Sequence, residues 1–258
     1  MSNRTQNKVV IITGGAQGIG FGCAEMLARE GAQVVIADIN VEKGEAAATA
    51  IRVQGGEAVF RRVDVLKESD CAALADFAYQ HYGQLHGLIN NVGYYARVSL
   101  EQTTTELWDL YLNLNLRSAF YCCKFAIPYM QKSGSGSIIN IGSIHGIQPA
   151  SNIVAYGVAK GGLLSLTRSL AGTYAADRIR ANYIIPGWVL SESEIALHEG
   201  LGLPEAELRA KGPSLPLGRH QTPQDTGHTA VFLISDESAQ ITGTIFHIDA
   251  GATTLPLR

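Results

Sequence analysis

Short aliphatic, β-branched runs alternate along this chain with longer stretches whose apolar positions recur every three to four residues. The first run, Lys8-Val9-Val10-Ile11-Ile12-Thr13, is uninterrupted and reads as a buried strand. A glycine-rich turn follows, and then Cys23 to Glu30 with helical spacing. The second strand, Gln33 to Ala37, stops at Asp38. Further strands are predicted at about Ala58–Val63, Gly87–Asn91, Ser137–Ile141, Arg180–Ile185 and Thr244–Ile248, with helical stretches between them. Seven strands alternating with helices predict an α/β fold, a doubly wound parallel sheet with helices on both faces. The five residues Ser133 to Ser137 read as a turn before a strand, so no linker divides residues 1–258 and a single domain is expected.

The turn after the first strand places glycines at Gly14, Gly18 and Gly20, a G-x-x-x-G-x-G spacing with Gln17 and Ile19 between them. A strand, a glycine turn and a helix N-terminus direct free backbone N–H groups and a positive dipole end at a pyrophosphate. Any side chain on those glycines would block that approach. Asp38, eighteen residues after Gly20, ends the second strand. A carboxylate there either accepts both hydroxyls of an adenosine ribose and repels a 2′-phosphate, or caps the following helix. Ile39 comes next and Gln17 occupies the turn, so no Arg or Lys is expected at that phosphate position, which favours NAD over NADP.

Asn115, Ser143, Tyr156 and Lys160 lie at spacings that suit a proton-transfer site for alcohol and ketone chemistry. Tyr156 and Lys160, four apart, share one face if the segment is helical. A lysine ammonium beside a phenol favours the phenolate, so the tyrosine is expected to titrate below its ordinary value and exchange a proton with an alcohol. Ser143, thirteen residues upstream, ends the apolar run Ile138 to Gly142 and offers a hydroxyl to the reacting oxygen. A Tyr-x-x-x-Lys pair by itself also fits a solvated helix face; the nucleotide-type start of the same chain makes it informative.

Through these residues together the chain resembles a short-chain dehydrogenase/reductase of the single-domain, roughly 250-residue type. The resemblance runs from Lys8 to about Gly251 and includes Thr13-Gly14-x-x-x-Gly18-x-Gly20, Asp64-Val65, Asn90-Asn91-Val92-Gly93, Asn115, Ser143, Tyr156-x-x-x-Lys160, Pro186-Gly187 and Asp249-Ala250-Gly251. It implies a Rossmann-like fold in which Asp64 and Val65 flank the adenine and Asn90 to Gly93 line the cofactor and support the sheet. It implies Tyr156 as acid/base, Ser143 as donor to the substrate oxygen, and Lys160 as both pKa perturber and ribose ligand. The backbone of Asn115 would hold a water linking Lys160 to solvent. Pro186-Gly187 would turn the chain past the nicotinamide, with Val189 and Ser191 on its carboxamide. Three positions depart from the family pattern: Val92 stands for alanine, Ser191 for threonine, and Ala250 for the first glycine of Asp-Gly-Gly. None removes a reacting group.

Substrate specificity is expected from the irregular stretch between Pro186 and about Pro216, with a lid at about 188–216. It contains Trp188, Glu192, Glu194, His198, a Gly200-Leu201-Gly202 hinge and a short helix at Pro204 to Leu208, which suits either a closing lid or a surface excursion. Tyr94, Tyr95, Arg97, His145, Gln148 and Asn152 are the other candidates. His145 either reaches a substrate hydroxyl or packs locally, and Arg97 either binds an anionic group or is solvated. The polar set His145, Gln148, Asn152 and Glu192 suits a hydroxyl-rich sugar or polyol, because each desolvated hydroxyl needs a partner. A 3-oxoacyl or hydroxysteroid ketone reductase is the alternative enzyme, and a cofactor-sensing binding protein the alternative outside enzymes.

A net charge of −3 and the lack of a basic run argue against a nucleic-acid surface. A hydrophobic content of 46% is ample for a core, yet no run approaches a membrane span and the polar start lacks a secretion signal. Cys23, Cys71, Cys122 and Cys123 show no metal or disulfide spacing, so reduced core cysteines, no metal and a cytoplasmic location are expected. The resemblance implies a homotetramer or homodimer formed through the helices of Asn115 and Tyr156. Cys122, Phe125, Tyr129, Leu163, Leu166 and Leu170 offer apolar positions there, or face the sheet.

Overall fold

The computed structural model describes residues 3–148 and 150–253. Seven strands, β1 (Val9–Thr13), β2 (Gln33–Asp38), β3 (Glu57–Arg62), β4 (Gly87–Asn90), β5 (Gly136–Ile141), β6 (Ile179–Pro186) and β7 (Ile245–Ile248), form one sheet in the order 3-2-1-4-5-6-7. Every pairing is parallel. Each predicted strand is present, with ends displaced by about one residue. β1, β4 and β5 are buried along their whole length, which explains their unbroken apolar runs.

The connections are helical: α1 (Gly18–Arg29), α2 (Val41–Val53), α3 (Glu68–Tyr82), α4 (Thr105–Leu112), α5 (Ser118–Lys132), α6 (Val154–Thr173), α7 (Glu192–Gly200), α8 (Glu205–Ala210) and α9 (Pro223–Ile234). Two faces of apolar packing result. Leu27, Ile36, Ile51, Val231 and Ile234 belong to one, and Ile11, Leu74, Leu88, Met130 and Ile138 to the other. α1 begins five residues earlier than its apolar spacing indicated, because the glycine turn itself supplies its first residues.

Order changes at one place between β1 and β4, where successive strands leave in opposite directions across the sheet. Ligands of such sheets lie there, beyond the carboxyl ends of the strands. A buried polar ladder stiffens the adjoining strands: Asn90 Nδ2 donates to Asn140 Oδ1 at 2.8 Å, and Asn140 Nδ2 to Thr167 Oγ1 of α6 at 2.8 Å.

The stretch after Pro186 is less irregular than its sequence implied. Ser191 caps α7, accepting from the Glu194 N–H at 3.2 Å, while Glu192 and Glu194 complement the helix dipole in its first turn. Gly202, at φ +82°, ends that helical segment, with the Leu203 N–H returning to the His198 carbonyl. All four cysteines are buried free thiols, Cys122 against Cys71 of α3 and Cys123 against Asn90 of β4. Of the six apolar assembly positions on α5 and α6, Cys122 and Leu163 are buried, and Phe125, Tyr129, Leu166 and Leu170 are partly buried against the core; Phe120 and Val158 are exposed. No helix among the described residues is long and apolar enough to cross a membrane.

α1 and α9 meet through glycine. A Cβ on Gly22 would stand 2.5 Å from the Pro223 backbone, and one on Gly227 2.6 Å from the Gly22 carbonyl. Gly22→Ala is therefore expected to lower the unfolding free energy by about 1–3 kcal/mol through overpacking. Gly172→Ala, in α6 with open space around it, is expected to raise it by about 0.5–1 kcal/mol. Urea titration of both variants, with unchanged slopes, checks the opposite signs.

Candidate active site

The glycine turn owes its shape to close approach. Gly14 and Gly18 have φ of +62° and +56°, and a Cβ on Gly20 would fall inside the Gly14 carbonyl. Asn91 holds the turn from β4, its Nδ2 donating to the carbonyls of Gly14 (2.9 Å) and Thr13 (3.2 Å). Asp38 closes the other side: Oδ2 accepts from the Ala16 N–H at 3.2 Å and Oδ1 from the Asn40 N–H at 3.0 Å.

From this turn a cavity of about 480 Å³ runs along the carboxyl ends of the strands to Tyr156 and Lys160. Gly14, Gln17, Gly18 and Ile19 line its start, Asp38 and Ile39 one wall, and Asp64 and Val65 the next. Asn91, Gly93, Pro186 and Ser191 line the remainder. Three of the expected cofactor residues stand behind the wall. Gly20 lies under the turn, Val189 is buried, and Gly187 is pressed against Asp249, whose Cα would stand 2.6 Å from a Cβ there. The Gly187 N–H donates to Gln221 Oε1 at 2.7 Å, and Gln221 Nε2 in turn donates to the Ile248 carbonyl. The cleft, its glycine cradle and the carboxylate at the β2 tip fit a dinucleotide.

A lysine that the sequence did not point to lies close to the turn. Lys43, in the first turn of α2, donates through Nζ to Gln17 Oε1 and lies 3.3 Å from Glu192 Oε2. The helix geometry after Asn40 brings it back over the turn, where its charge faces Glu192. That places Glu192 beside the glycine turn, exposed and paired with Lys43.

At the far end of the cleft four elements meet. A π turn over Asn113–Arg117 separates α4 from α5 and lets Asn115 face inward, 1% exposed. Its side chain clamps the chain after β4: Oδ1 accepts from the Tyr94 N–H (3.1 Å), and Nδ2 donates to the carbonyls of Tyr94 (3.0 Å) and Tyr111 (3.0 Å). Gly93 fits between Asn115 and Lys160, where a Cβ would stand 3.0 Å from Asn115 Oδ1. Lys160 Nζ donates to the Ile141 carbonyl at 2.8 Å and lies 5.7 Å from the centre of the Tyr156 ring.

The electrostatics differ from the sequence expectation. Burial pushes the Tyr156 phenol up to about 12, with Tyr95, Glu194 and Tyr111 adding to the rise and a hydrogen bond to the Ser143 side chain opposing it. Burial alone pulls the Lys160 ammonium down to about 8. Desolvation of both groups thus opposes the lowering that the Tyr156–Lys160 spacing implied, and the Lys160 ammonium donates to the Ile141 carbonyl.

Tyr95 packs tilted against Tyr156 at 5.4 Å between ring centres, and Tyr111 and His145 stand edge-on to it at 6.4 Å. Arg97 Nε donates to the Tyr95 hydroxyl at 2.9 Å, at the exposed rim. His145 Nδ1 is buried and without a hydrogen-bond partner. Burial lowers that imidazole below its ordinary value, as does Arg97, against the opposing effect of the Gln148 backbone. Tyr94 packs on Tyr111. Gln148 Nε2 donates to the Thr253 carbonyl at 3.4 Å, and Asn152 is exposed, its backbone carbonyl accepting from the Val98 N–H. Trp188 donates to Glu194 Oε1 at 2.8 Å, and His198 Nε2 lies 3.0 Å from the same oxygen. Glu194, two residues along α7 from Glu192 and so on a different face, is the α7 carboxylate whose charge acts on the Tyr156 phenol. Among the described residues no His, Cys, Asp and Glu group could hold a metal.

A family model described as Enoyl-(Acyl carrier protein) reductase matches residues 14–253. The chain is 35% identical to 2-(S)-hydroxypropyl-CoM dehydrogenase 3 of Xanthobacter autotrophicus, over 99% of this chain and all of that one. It belongs to the short-chain dehydrogenase/reductase family. It is also 36% identical to a probable galactose dehydrogenase of Rhizobium meliloti, over 95% of each chain. Among solved structures it is similar to levodione reductase, with a TM-score of 0.91 and 27% identity over 97% of this chain and 99% of that one. Membership makes this short-chain dehydrogenase/reductase an oxidoreductase that works with a nicotinamide cofactor, NAD or NADP. Ala250 stands where the family pattern has glycine, and its φ of +56° shows why glycine suits that position.

A buried ammonium with a depressed pKa destabilises the folded chain while both states are protonated. The penalty, about 3 kcal/mol at pH 7 from the fall of 10.5 to about 8, fades as pH rises from 8 to 10.5. Lys160→Met is expected to raise the thermal midpoint at pH 7 and to narrow that advantage at pH 10, while losing activity. Differential scanning calorimetry of both proteins at the two pH values measures it.

Proposed function

We propose that the protein is an NAD-dependent dehydrogenase that oxidises a secondary or hemiacetal hydroxyl on a small polar substrate, most simply a sugar or polyol. The observation that supports this best is the continuity of one cleft from the Asp38 carboxylate to the Tyr156 phenol. Asp38 would accept the adenosine ribose hydroxyls and oppose a 2′-phosphate. Lys43 does not reverse that preference, since Glu192 balances its charge. Bound nicotinamide supplies the hydride acceptor.

The chain's own residues handle the proton and the oxygen. Ser143 would donate to the substrate oxygen, and Tyr156 would take the hydroxyl proton. Lys160 would hold the ribose and, with the Asn115 region, lead the proton towards solvent. On the substrate side, the unpartnered His145 Nδ1 calls for a polar group, and a hydroxyl supplies one. Tyr95, in the cleft lining, adds an aromatic face beside the Tyr156 phenol, which suits a hydroxylated ring. The galactose dehydrogenase among the relatives is consistent with that class. Assembly as a homotetramer or homodimer through the α5 and α6 faces, with Phe120 and Val158 as exposed apolar positions, belongs to the same proposal.

Initial rates of NADH formation across aldoses, polyols, hydroxy acids and hydroxysteroids, repeated with NADP, test the reading. A sugar or polyol is expected ahead, with kcat/KM for NAD exceeding that for NADP by about 100-fold. Turnover confined to NADPH and 3-oxoacyl or steroid ketones would overturn the substrate and cofactor assignments. Tyr156→Phe is expected to bind NAD with unchanged Kd, by fluorescence titration, and to lose about 10³-fold in kcat.

A further inference from the structure

Tyr183 lies in the middle of β6, paired with Asn140 of β5 and Ile245 of β7, and is fully buried. Its hydroxyl ends between two residues of the reacting set. It accepts from the Ser143 N–H at 3.1 Å and donates to the Lys160 carbonyl at 3.1 Å. Ser143 stands at the end of β5 and Lys160 on α6, so this phenol joins the two elements that supply the oxygen donor and the ammonium. Ser143 is fixed from its other end as well, since its Oγ accepts from the His145 N–H at 3.2 Å.

The chain around the ring is shaped to admit it. A Cβ on Gly142 would fall inside the Tyr183 ring, and one on Gly146 would stand 2.7 Å from its hydroxyl and 3.0 Å from the Lys160 carbonyl. Both glycines have φ outside the left-handed region, so backbone strain does not call for them; the space does. Burial drives this phenol above its ordinary value, so it remains protonated, as a donor to Lys160 must.

We propose that Tyr183 is a positioning residue of the dehydrogenase reaction, holding the Ser143 backbone and the Lys160 turn of α6 at a fixed separation so that the Ser143 hydroxyl meets the Tyr156 phenol. This rests on the proton-transfer reading of Tyr156, Ser143 and Lys160 given above. Ser143 favours the Tyr156 phenolate through its hydrogen bond. Loosening Ser143 removes that support, and a phenolate harder to form acts as a base only at higher pH. Tyr183 itself stays behind the β5 end, out of the cleft lining, and exchanges no proton with substrate.

Tyr183→Phe keeps the ring and removes both hydrogen bonds. With a substrate that the wild type oxidises, kcat is expected to fall about 30-fold, within the range that a displacement of about 1 Å produces, while Kd for NAD changes less than about twofold. The rising limb of the pH profile of kcat is expected to move up by about half a unit or more. Gly146→Ala, which pushes against the hydroxyl without removing it, is expected to move the same two readouts in the same directions, and replaces Tyr183→Phe if that chain is insoluble. A soluble Tyr183→Phe with kcat within twofold of wild type and an unmoved limb would overturn the proposal, whatever its thermal midpoint, and so would that result for Gly146→Ala if it stands in. A wild type without turnover on any alcohol would sink the functional reading instead, which separates the two failures.

Discussion

Parallel pairing is the constraint from which the rest of this molecule follows. Strands that run the same way cannot be joined by tight hairpins, so each crossover must return along a face of the sheet, usually as a helix. All seven strands then open their carboxyl ends on one edge, and the residues that follow them gather there. Gly14, Asp38, Asp64, Asn91, Ser143 and Pro186 are scattered over more than 170 residues of chain, yet each follows or ends a strand on that edge. The reversal of order beside β1 leaves room there for a ligand, because the connections on either side of it diverge. Chemistry is therefore concentrated where the backbone is least regular, over a sheet whose burial on both faces keeps it rigid.

The same edge is a poor place for charge. Lys160 is 3% exposed with a single carbonyl as hydrogen-bond partner, and Tyr156 is enclosed by Tyr95, Tyr111 and His145. Desolvation drives the phenol up and the ammonium down, so burial disfavours both ions. Such a site is held ready at a cost in stability, since a buried cation is tolerated only where its function requires it. Neighbouring groups make the balance finer: the Ser143 hydroxyl favours the phenolate, whereas Glu194 opposes it from α7. A carboxylate on α7 thus enters the proton balance.

Local rules made most of this legible before any coordinates. The strand runs and the glycine spacing are short-range patterns, and each falls where its spacing predicts; Tyr156 and Lys160 share one end of the cleft, as their four-residue spacing on α6 implies. Helix α7 shows the limit. Ser191 and the paired acids are a recognisable N-terminus, but the glycine and proline content of the segment masked it. Which of Glu192 and Glu194 faces inward depends on how α7 docks, and Trp188 and His198 decide that in favour of Glu194. Lys43 was missed for a related reason: its reach to Gln17 depends on the entry angle of α2, which Asn40 sets by capping the Lys43 N–H at 2.9 Å. The Lys160–Tyr156 electrostatics failed because spacing reports proximity and says nothing of solvent.

Tyr183 carries the most general form of that limit. In sequence it is one apolar position in a strand, indistinguishable from its neighbours Ile184 and Ile185. Its meaning lies in two glycines some forty residues earlier, Gly142 and Gly146, which make room for a ring that arrives from another strand. Neither glycine has a positive φ, so neither is required by its own backbone. A large residue on one element and missing side chains on another form a complementary pair, and each is uninformative alone. Specificity and positioning in this fold are written in such pairs across strands, whereas the reacting groups are written in order along the chain. That division is why the reaction class is readable from order and spacing, and why the supports of the site become visible only once the strands are paired.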